Sequence, residues 1–574
     1  MRLKTAAALL LLGLVALVAG IGQLTWWAPD EQVTATLPAD TPAAPLTVID
    51  TKLRDLRGGE ATLTIHGQGN YVLATARPDD MAAWVGKAAH TTIAGASEDG
   101  KMLAATHADG DAESPSPAGA DLFAATQSAS GTLEYHWDLP DSGDWQLLLA
   151  SDGKAAAPQD VSITWPSHAT TPWAVPLLVI GALLIVGAVV LAALDRLGRG
   201  GSGRGAGRRR TAPTNDPATA AIPEASRRAP GKSERTPDAV PRLSALGRLG
   251  GPLAVVLAAV LGSGVGALPA QATSTPTPSA SEPAKARVVT EDQLSRILDQ
   301  TANAVQGGDD AKDAGKLAAR VDGSALLART QNYKVRAAVA NAPAIAPVRA
   351  SKLLTSVVTT QRSWPRTVVA VTQGEGNSTP QLVTLRQASA RDNYKLIEAA
   401  PLLPGATFPG TPKSGADQIS LDDKAGLAVS PKDAIGGVAD RLSTGGSAWK
   451  DKIPDNAYIK DTFGYQTDIS KAENATFTFK HSPVGDEAAA FRTADGGAIV
   501  IAPLDFVVEG TPKAEGDKVT LQDDAAALAG GKEASKKMAL TFRESVMLYV
   551  SKDGAAQPVN LIGATRNLSA ASVS

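Results

Sequence analysis

Few residues in this 574-residue chain are suited to acid–base chemistry, and they are widely spaced. General acid–base work near neutral pH most often recruits histidine, or a carboxylate or lysine whose pKa burial has shifted. His481 is the only histidine after residue 272, so a Ser-His-Asp site in the C-terminal region would have to use it. Its place just past Thr476 to Lys480 (TFTFK) reads as a turn. Carboxylates on or beside strand-like runs are Glu398, Asp505, Glu509 and Glu544. Asp505 and Glu544 interrupt strongly apolar runs, which makes them the first candidates for the floor of a pocket. An inward-pointing acid of that kind can equally pair with an arginine or a backbone N–H.

The remaining chemistry is thinner. His66, His90, His107, His136 and His168 all precede residue 172, and none is spaced i, i+4 as helix-borne metal ligands are. Asp109-Gly110-Asp111-Ala112-Glu113 lacks the full calcium-loop pattern and reads as a solvated acidic turn. Asp309-Asp310 and Asp422-Asp423 read the same way. The absence of cysteine excludes disulfides, thiol nucleophiles and cysteine-ligated metals. No phosphate-binding loop, dinucleotide fingerprint, serine-hydrolase elbow or zinc-protease motif occurs in its required context. No metal or cofactor is therefore expected, and no catalytic residue can be assigned.

The elements that must position these residues are set by three apolar runs. Thr5 to Leu24 follows Arg2 and Lys4 and ends at Trp26-Trp27, which suits an uncleaved anchor with an interfacial tryptophan pair (residues 5–24). Trp173 to Leu194 is uncharged over 22 residues, enough to cross a hydrocarbon core of about 30 Å. Residues 195–248 then carry eleven Arg and one Lys against five acids, a net +7 in a chain whose total is −3. Arginine and lysine stay cytoplasmic beside a span, so this Gly/Pro/Ser-rich stretch reads as a disordered cytoplasmic loop. Leu249 to Leu268 is a third, weaker run followed by Ala270-Gln271-Ala272. It is either a third span or a signal-like segment cut after Ala272, and the intact span is favoured. The expected topology has the N-terminus inside, residues 27–172 outside, 195–248 inside and 271–574 outside.

Outside the membrane, residues 27–172 read as a stalk and a β-sandwich. Thr62 to Ala76 alternates as two strands around a glycine turn would, and Gly131 to Trp137, Trp145 to Ala150 and Val161 to Trp165 continue the pattern. Asp152-Gly153 marks a hairpin between the last two. After a Pro/Thr/Ser linker at 273–286, Thr290 and Gln293 form a capping box ahead of an amphipathic helix ended by Gly307-Gly308. A second helix is expected over about 317–330. Strands follow at Thr367 to Thr372, Gln381 to Gln387 and Tyr394 to Ala399. The last third repeats the order: Ser430 caps a helix, a polar stretch runs over 448–463, and strands follow at 476–480, 498–508, 538–550 and 559–565. Helices first and an antiparallel meander second, twice over, predict two α+β domains at 287–402 and 428–570.

This element order over Glu291 to Leu568 resembles the NTF2-like (cystatin-like α+β) fold, a cone with one pocket. Tyr135 to Gly153 (YHWDLPDSGDWQLLLASDG) resembles the closing strands of jelly-roll accessory domains. The whole layout resembles uncharacterised membrane-anchored envelope proteins of actinobacteria. The expected fold class is a multi-domain membrane protein with three transmembrane helices, an extracytoplasmic β-sandwich and a C-terminal pair of NTF2-like domains. The expected function is non-catalytic: a cell-envelope protein at the bacterial membrane whose external modules bind a partner protein, wall polymer or lipid, with no specific nucleic-acid binding. The alternative is an envelope enzyme using a pocket of an NTF2-like domain.

Overall fold

The structure is a computed structural model that describes residues 2–58, 60–137, 144–151, 155–167, 170–199, 286–485 and 487–574. Most of the basic loop, the third apolar run, the Ala270-Gln271-Ala272 motif and nearly all of the linker lie outside the described residues.

The chain opens on helix α1 (Arg2–Leu24). It continues through β1 (Gln32–Thr36), β2 (Leu46–Ile49), the short α2 (Lys52–Asp55), β3 (Thr62–Ala76), α3 (Pro78–Val85), β4 (His90–Ala96) and β5 (Leu103–Ala108). Then come β6 (Ala125–His136), β7 (Gln146–Ala150), β8 (Asp160–Pro166) and helix α4 (Ala174–Arg199).

Helices α1 and α4 are both long and apolar enough to cross a membrane. Buried positions recur every seventh residue on each: Ala6, Gly13 and Gly20 on α1, and Ala174, Gly181 and Ala188 on α4. A seven-residue repeat of small side chains lets two helix backbones approach closely along one seam. A Cβ added at Gly181 would meet the Gly13 carbonyl oxygen at 2.8 Å and Leu17 N at 2.9 Å, and one at Gly13 would meet Ile185. That pairing makes the helices antiparallel. Gly181→Leu is therefore expected to force them apart towards the roughly 8–10 Å axial spacing of ordinary helix pairs. Spin labels at Leu11 and Leu183, measured by pulsed dipolar spectroscopy, would lengthen in separation; an unchanged distance would refute the glycine contact.

In the sequence from residue 32 to 166, the eight strands form one sheet in the order β1-β8-β3-β7-β2-β4-β5, with β6 on β3. Thr62–Ala76 is a single fifteen-residue strand, not the expected pair. Its first half pairs with β8 and its second half with β7, while β6 runs along the other edge. The register shifts between Gly67 and Asn70, where Gly69 has φ +92°. A glycine-assisted irregularity bends a strand without reversing it. Strands β7 and β8 accordingly flank β3 and do not form a hairpin. The sheet curls round a core of Leu63, Ile65, Leu147, Leu149, Ile163 and Trp165.

After the second apolar helix the described chain resumes with α5 (Glu291–Ala311), a 3-10 turn (Ala314–Leu317), α6 (Gly323–Ala338) and four strands. These are β9 (Lys352–Val358), β10 (Arg366–Gln373), β11 (Gln381–Gln387) and β12 (Lys395–Pro401), in one antiparallel sheet. Thr290 and Gln293 make the capping box in full. The helix runs through Gly307-Gly308, because Gly308 sits where a Cβ would lie 2.2 Å from Leu317. The glycine there admits a packing partner and does not end the helix. Strand β9 had no clear signal in the sequence.

The last third contains β13 (Gln418–Ile419), α7 (Pro431–Ser443), α8 (Ala457–Ser470), β14 (Ala475–Pro483), β15 (Ala489–Arg492) and β16 (Ala498–Pro512). It closes with β17 (Val519–Thr520), α9 (Asp523–Ala529), β18 (Glu533–Ala534), β19 (Met538–Val550) and β20 (Val559–Val573). The polar stretch expected over 448–463 is in its second half the start of α8, capped by Asn456.

Strands β13, β15, β16, β19 and β20 form a second antiparallel sheet in that order, with β14 on β16. It and the four-stranded sheet bury both faces, which explains their nearly continuous apolar runs. Val368, Ala370, Val383 and Leu385 face α5 and α6. Their neighbours Val369, Val371 and Leu382 face Ile499, Ile501 and Met547 of the second sheet. Val500, Leu504, Val546 and Leu548 turn to α7 and α8. Period-two alternation thus yields helix, sheet, sheet, helix.

The N-terminal β-region and this C-terminal region form one compact unit. Asp80 of α3 pairs with Arg366 of β10 at 2.6 Å, both buried. Asp121 pairs with Arg320 and accepts a hydrogen bond from Tyr394 N at 2.8 Å. Arg391 donates to the Trp84 and Val85 carbonyls, which close α3, at 2.9 and 3.0 Å. Arg296 donates to the Phe123 carbonyl at 2.6 Å. Ala390 and Trp364 pack on the apolar cluster around Trp84 and Phe123.

Candidate functional site

The two acids singled out from the sequence lie on neighbouring strands but on opposite faces. Cross-strand register pairs Leu504 with Glu544 and Asp505 with Arg543. Glu544 therefore shares the helix-facing side with Leu504, while Asp505 and Arg543 face α6. Alternation separates them, and the structure does not bring them together.

Glu544 is fully buried. Its Oε1 accepts from Arg566 Nε at 2.7 Å and from the Tyr458 hydroxyl at 2.7 Å. His481 Nε2 stands 3.5 Å from the same oxygen, and its ring stacks on Phe506 with centroids 4.1 Å apart. Arg566 also donates to Thr462 Oγ1 at 2.6 Å and lies over the Phe506 ring. Burial by itself would raise the Glu544 carboxyl, but the adjacent His481 ring, the Arg566 guanidinium and the Tyr458 hydroxyl outweigh it and hold it below the ordinary glutamate value. Glu544 is an ionised, hydrogen-bonded partner of a half-buried arginine.

His481 is not in a turn. It lies within β14, buried, with its backbone N–H donating to Ser443 Oγ at 2.8 Å. The strand reaches Pro483 because it pairs with β16 all the way to Leu504. Ser443, His481 and Glu544 thus adjoin one another. However, the serine oxygen is engaged by His481 and donates to the Ala439 carbonyl at 2.7 Å, so it is not presented as a nucleophile.

On the opposite face, Arg543 Nε donates to Asp505 at 2.8 Å and Nη1 to Ser324 Oγ at 3.0 Å. Glu487 accepts from the Ser324 hydroxyl at 2.9 Å. Glu398 of β12 is buried close by. A bulge displaces Ile397, so Leu396 faces the helices while Glu398 sits opposite Thr384, towards the second sheet. Burial first, then the neighbouring Glu487 charge, push the Glu398 carboxyl well above its ordinary value despite Arg543. The protonated form is thereby favoured over that of an ordinary glutamate. Glu509 pairs with Lys537 at 2.7 Å on the surface.

The other residues read from the sequence have structural roles. His66 and His136 share hydrogen bonds with Thr132 and Thr62 across β3 and β6. His90 contacts the Ala88 carbonyl, and His107 lies 3.4 Å from Asp109. His168 lies outside the described residues. Asp309 is not a solvated turn residue: it closes α5, accepts from the Tyr333 hydroxyl at 2.6 Å and pairs with Arg329 at 3.3 Å. Asp422 and Asp423 pair with Lys432 and Arg492. Among the described residues, no group of three or more His, Asp or Glu side chains is placed to hold a metal ion.

A cavity of about 430 Å³ lies between α6, the 342–346 segment and strands β12, β19 and β20. Arg329, Arg543 and Arg566 line it; Glu544 and His481 do not. Its position between two modules left it without a sequence signal, since its walls come from residues more than two hundred positions apart.

These features define a chain with two apolar helices long enough to cross a membrane and a large β-rich region in which the buried candidate acids are paired with arginine or, at Glu398, pushed towards the protonated form. It belongs to the family described as domain of unknown function DUF8094, whose model matches residues 285–572, half of the chain. No curated protein and no solved structure matches it.

Proposed function

We propose that this protein is a non-catalytic, membrane-anchored protein of the bacterial cell envelope, of the actinobacterial type, whose external modules bind a partner, wall polymer or lipid. The observation that carries the reading is the pairing of the candidate acids. A general base must be free to take a proton. Glu544 is closed off and bonded to Arg566, and Asp505 is bonded to Arg543. The helix-then-sheet order of both C-terminal modules supports their resemblance to NTF2-like domains, a fold that serves passive binding as well as catalysis.

The same reading places three spans in the chain. Support comes from the packing of residues 22–174 against residues 283–574 in one unit. If α4 carries the chain across the bilayer at residue 174, the chain must return before residue 283 for the two regions to meet. Leu249 to Leu268 is the apolar run available for that return. Single cysteines at Ser128 and Ser482 are expected to react with an impermeant maleimide on intact cells, while one at Ser202 reacts only after lysis. Labelling of Ser202 in intact cells would overturn the topology.

A further inference from the structure

We propose that the seam between the N-terminal β-region and the C-terminal region, where Arg77 and Arg362 flank the Asp80–Arg366 pair, is a binding site for a phosphate group, free or esterified on a larger molecule. The proposal rests on the binding function above and names the chemistry that would be recognised.

Asp80 organises the seam. It lies in the first turn of α3, buried, and its carboxylate pairs with Arg366 at 2.6 Å. Arg366 also donates from Nε and Nη2 to the Arg362 carbonyl at 3.2 and 2.5 Å, which holds the loop before β10 against α3. Arg77 is the N-cap residue of the same helix and supplies no side-chain cap, so the positive end of the helix lies among these guanidiniums. Burial raises the Asp80 carboxyl above its ordinary value, against the pull of Arg366, Arg362 and Arg77.

Three arginines around one buried acid leave two positive charges uncompensated. Asp79 is exposed, and Arg287, which also acts on Arg77, is paired with Glu291 at 3.1 Å. Among the described residues, neither Arg77 nor Arg362 has a carboxylate partner. Burial first, then the Arg362 charge, hold the Arg77 guanidinium below the ordinary arginine value. Like charges kept together in a half-buried seam repel each other more than they would in water. Arg362 Nη1 is buried without a hydrogen-bond partner, and buried donors are rarely left unsatisfied. Arg77 Cζ lies 5.2 Å from the centroid of the Trp145 ring, a contact that engages the face of the guanidinium and leaves its edge donors unspent. A phosphate monoester carries a charge of about −1.5 to −2 at neutral pH and has oxygens for both forks. A carboxylate would offset only one of the two charges. Both arginines are half-buried, so the site opens to solution.

The test uses the full-length protein in detergent. Its melting temperature is followed as inorganic phosphate, glycerol phosphate or acetate replaces chloride at constant ionic strength. Affinity is measured by equilibrium dialysis of radiolabelled phosphate. Inorganic phosphate or glycerol phosphate is expected to raise the melting temperature, and acetate is not. A shift with inorganic phosphate alone assigns the free ion, and a shift with glycerol phosphate assigns an esterified group. Arg77→Gln and Arg362→Gln are each expected to weaken phosphate binding about tenfold through lost charge-assisted hydrogen bonds. Without phosphate, each variant should melt at or above the wild-type temperature, because each relieves repulsion. Lys334→Gln, which removes an exposed charge on α6, should leave binding unchanged. No shift from either phosphate, an equal shift from acetate, binding indifferent to both arginine substitutions, or a lowered melting temperature in both without phosphate would overturn the proposal. If the impermeant-maleimide pattern holds while phosphate does not bind, the phosphate site alone fails.

Discussion

Asp121→Ala is expected to destabilise the region outside the apolar helices by about 3–5 kcal/mol, the cost of stranding one member of a buried ion pair. Asp121 has no solvent exposure, and its carboxylate holds both Arg320 and the backbone N–H of Tyr394. Its own N–H donates to Asn393 Oδ1 at 3.0 Å, and its carbonyl accepts from Gln293. Removing the carboxylate leaves a guanidinium that is itself nearly buried facing an apolar gap. The loss falls at the contact between the N-terminal sheet and α5 and α6, so urea unfolding should show a lower midpoint and proteolysis should separate the two regions earlier. Asp121→Leu combined with Arg320→Met should recover most of the loss, because replacing a buried pair by apolar groups is close to neutral. A loss under about 1 kcal/mol for Asp121→Ala would mean that the pair does not join these regions.

The second large effect separates two buried glutamates that look alike in the sequence. Glu544→Leu strands Arg566 beneath α8 and is expected to cost a further about 3–5 kcal/mol by the same mechanism. The two residues also carry opposite pH signatures. Glu544 has a folded pKa below that of the unfolded chain, about 4.3. Its contribution is complete above that value and is lost as pH falls through the folded pKa. Glu398 has a folded pKa well above the unfolded value. Its contribution is complete below about pH 4.3 and is lost as pH rises towards the folded pKa, because the unfolded state alone releases the proton. Glu398→Gln keeps the neutral shape and removes that release, so it should raise the melting temperature at pH 7 and leave it unchanged below pH 4. Glu544→Gln should lower the melting temperature at pH 7. Equal responses in the two variants would contradict the assigned charge states.

Much of the architecture follows from local pattern. Composition alone determines that Arg2–Leu24 and Ala174–Arg199 are long apolar helices. Local chemistry likewise determines the cap at Thr290, where the side chain and Gln293 satisfy each other's backbone N–H groups within one turn. The caps at Ser430 and Asn456 are equally local. Alternation in Ala498–Pro512 and Met538–Val550 reveals strands. It also determines that Asp505 and Glu544 interrupt them. The seven-residue spacing of Ala6, Gly13 and Gly20 is present in the sequence too, but it has meaning only against Gly181 of the other helix. Tertiary structure decided the rest. Whether an acid on a strand is a base, a salt-bridge partner or a neutral carboxyl depends on which chain segment lies opposite. For Glu544 that segment carries Arg566, and for Asp505 it carries Arg543. For Glu398 the near neighbour is Glu487, brought close by packing two sheets face to face. No local pattern carries that information, because charge state is set by burial and by partners in space, and those partners are scattered along the chain.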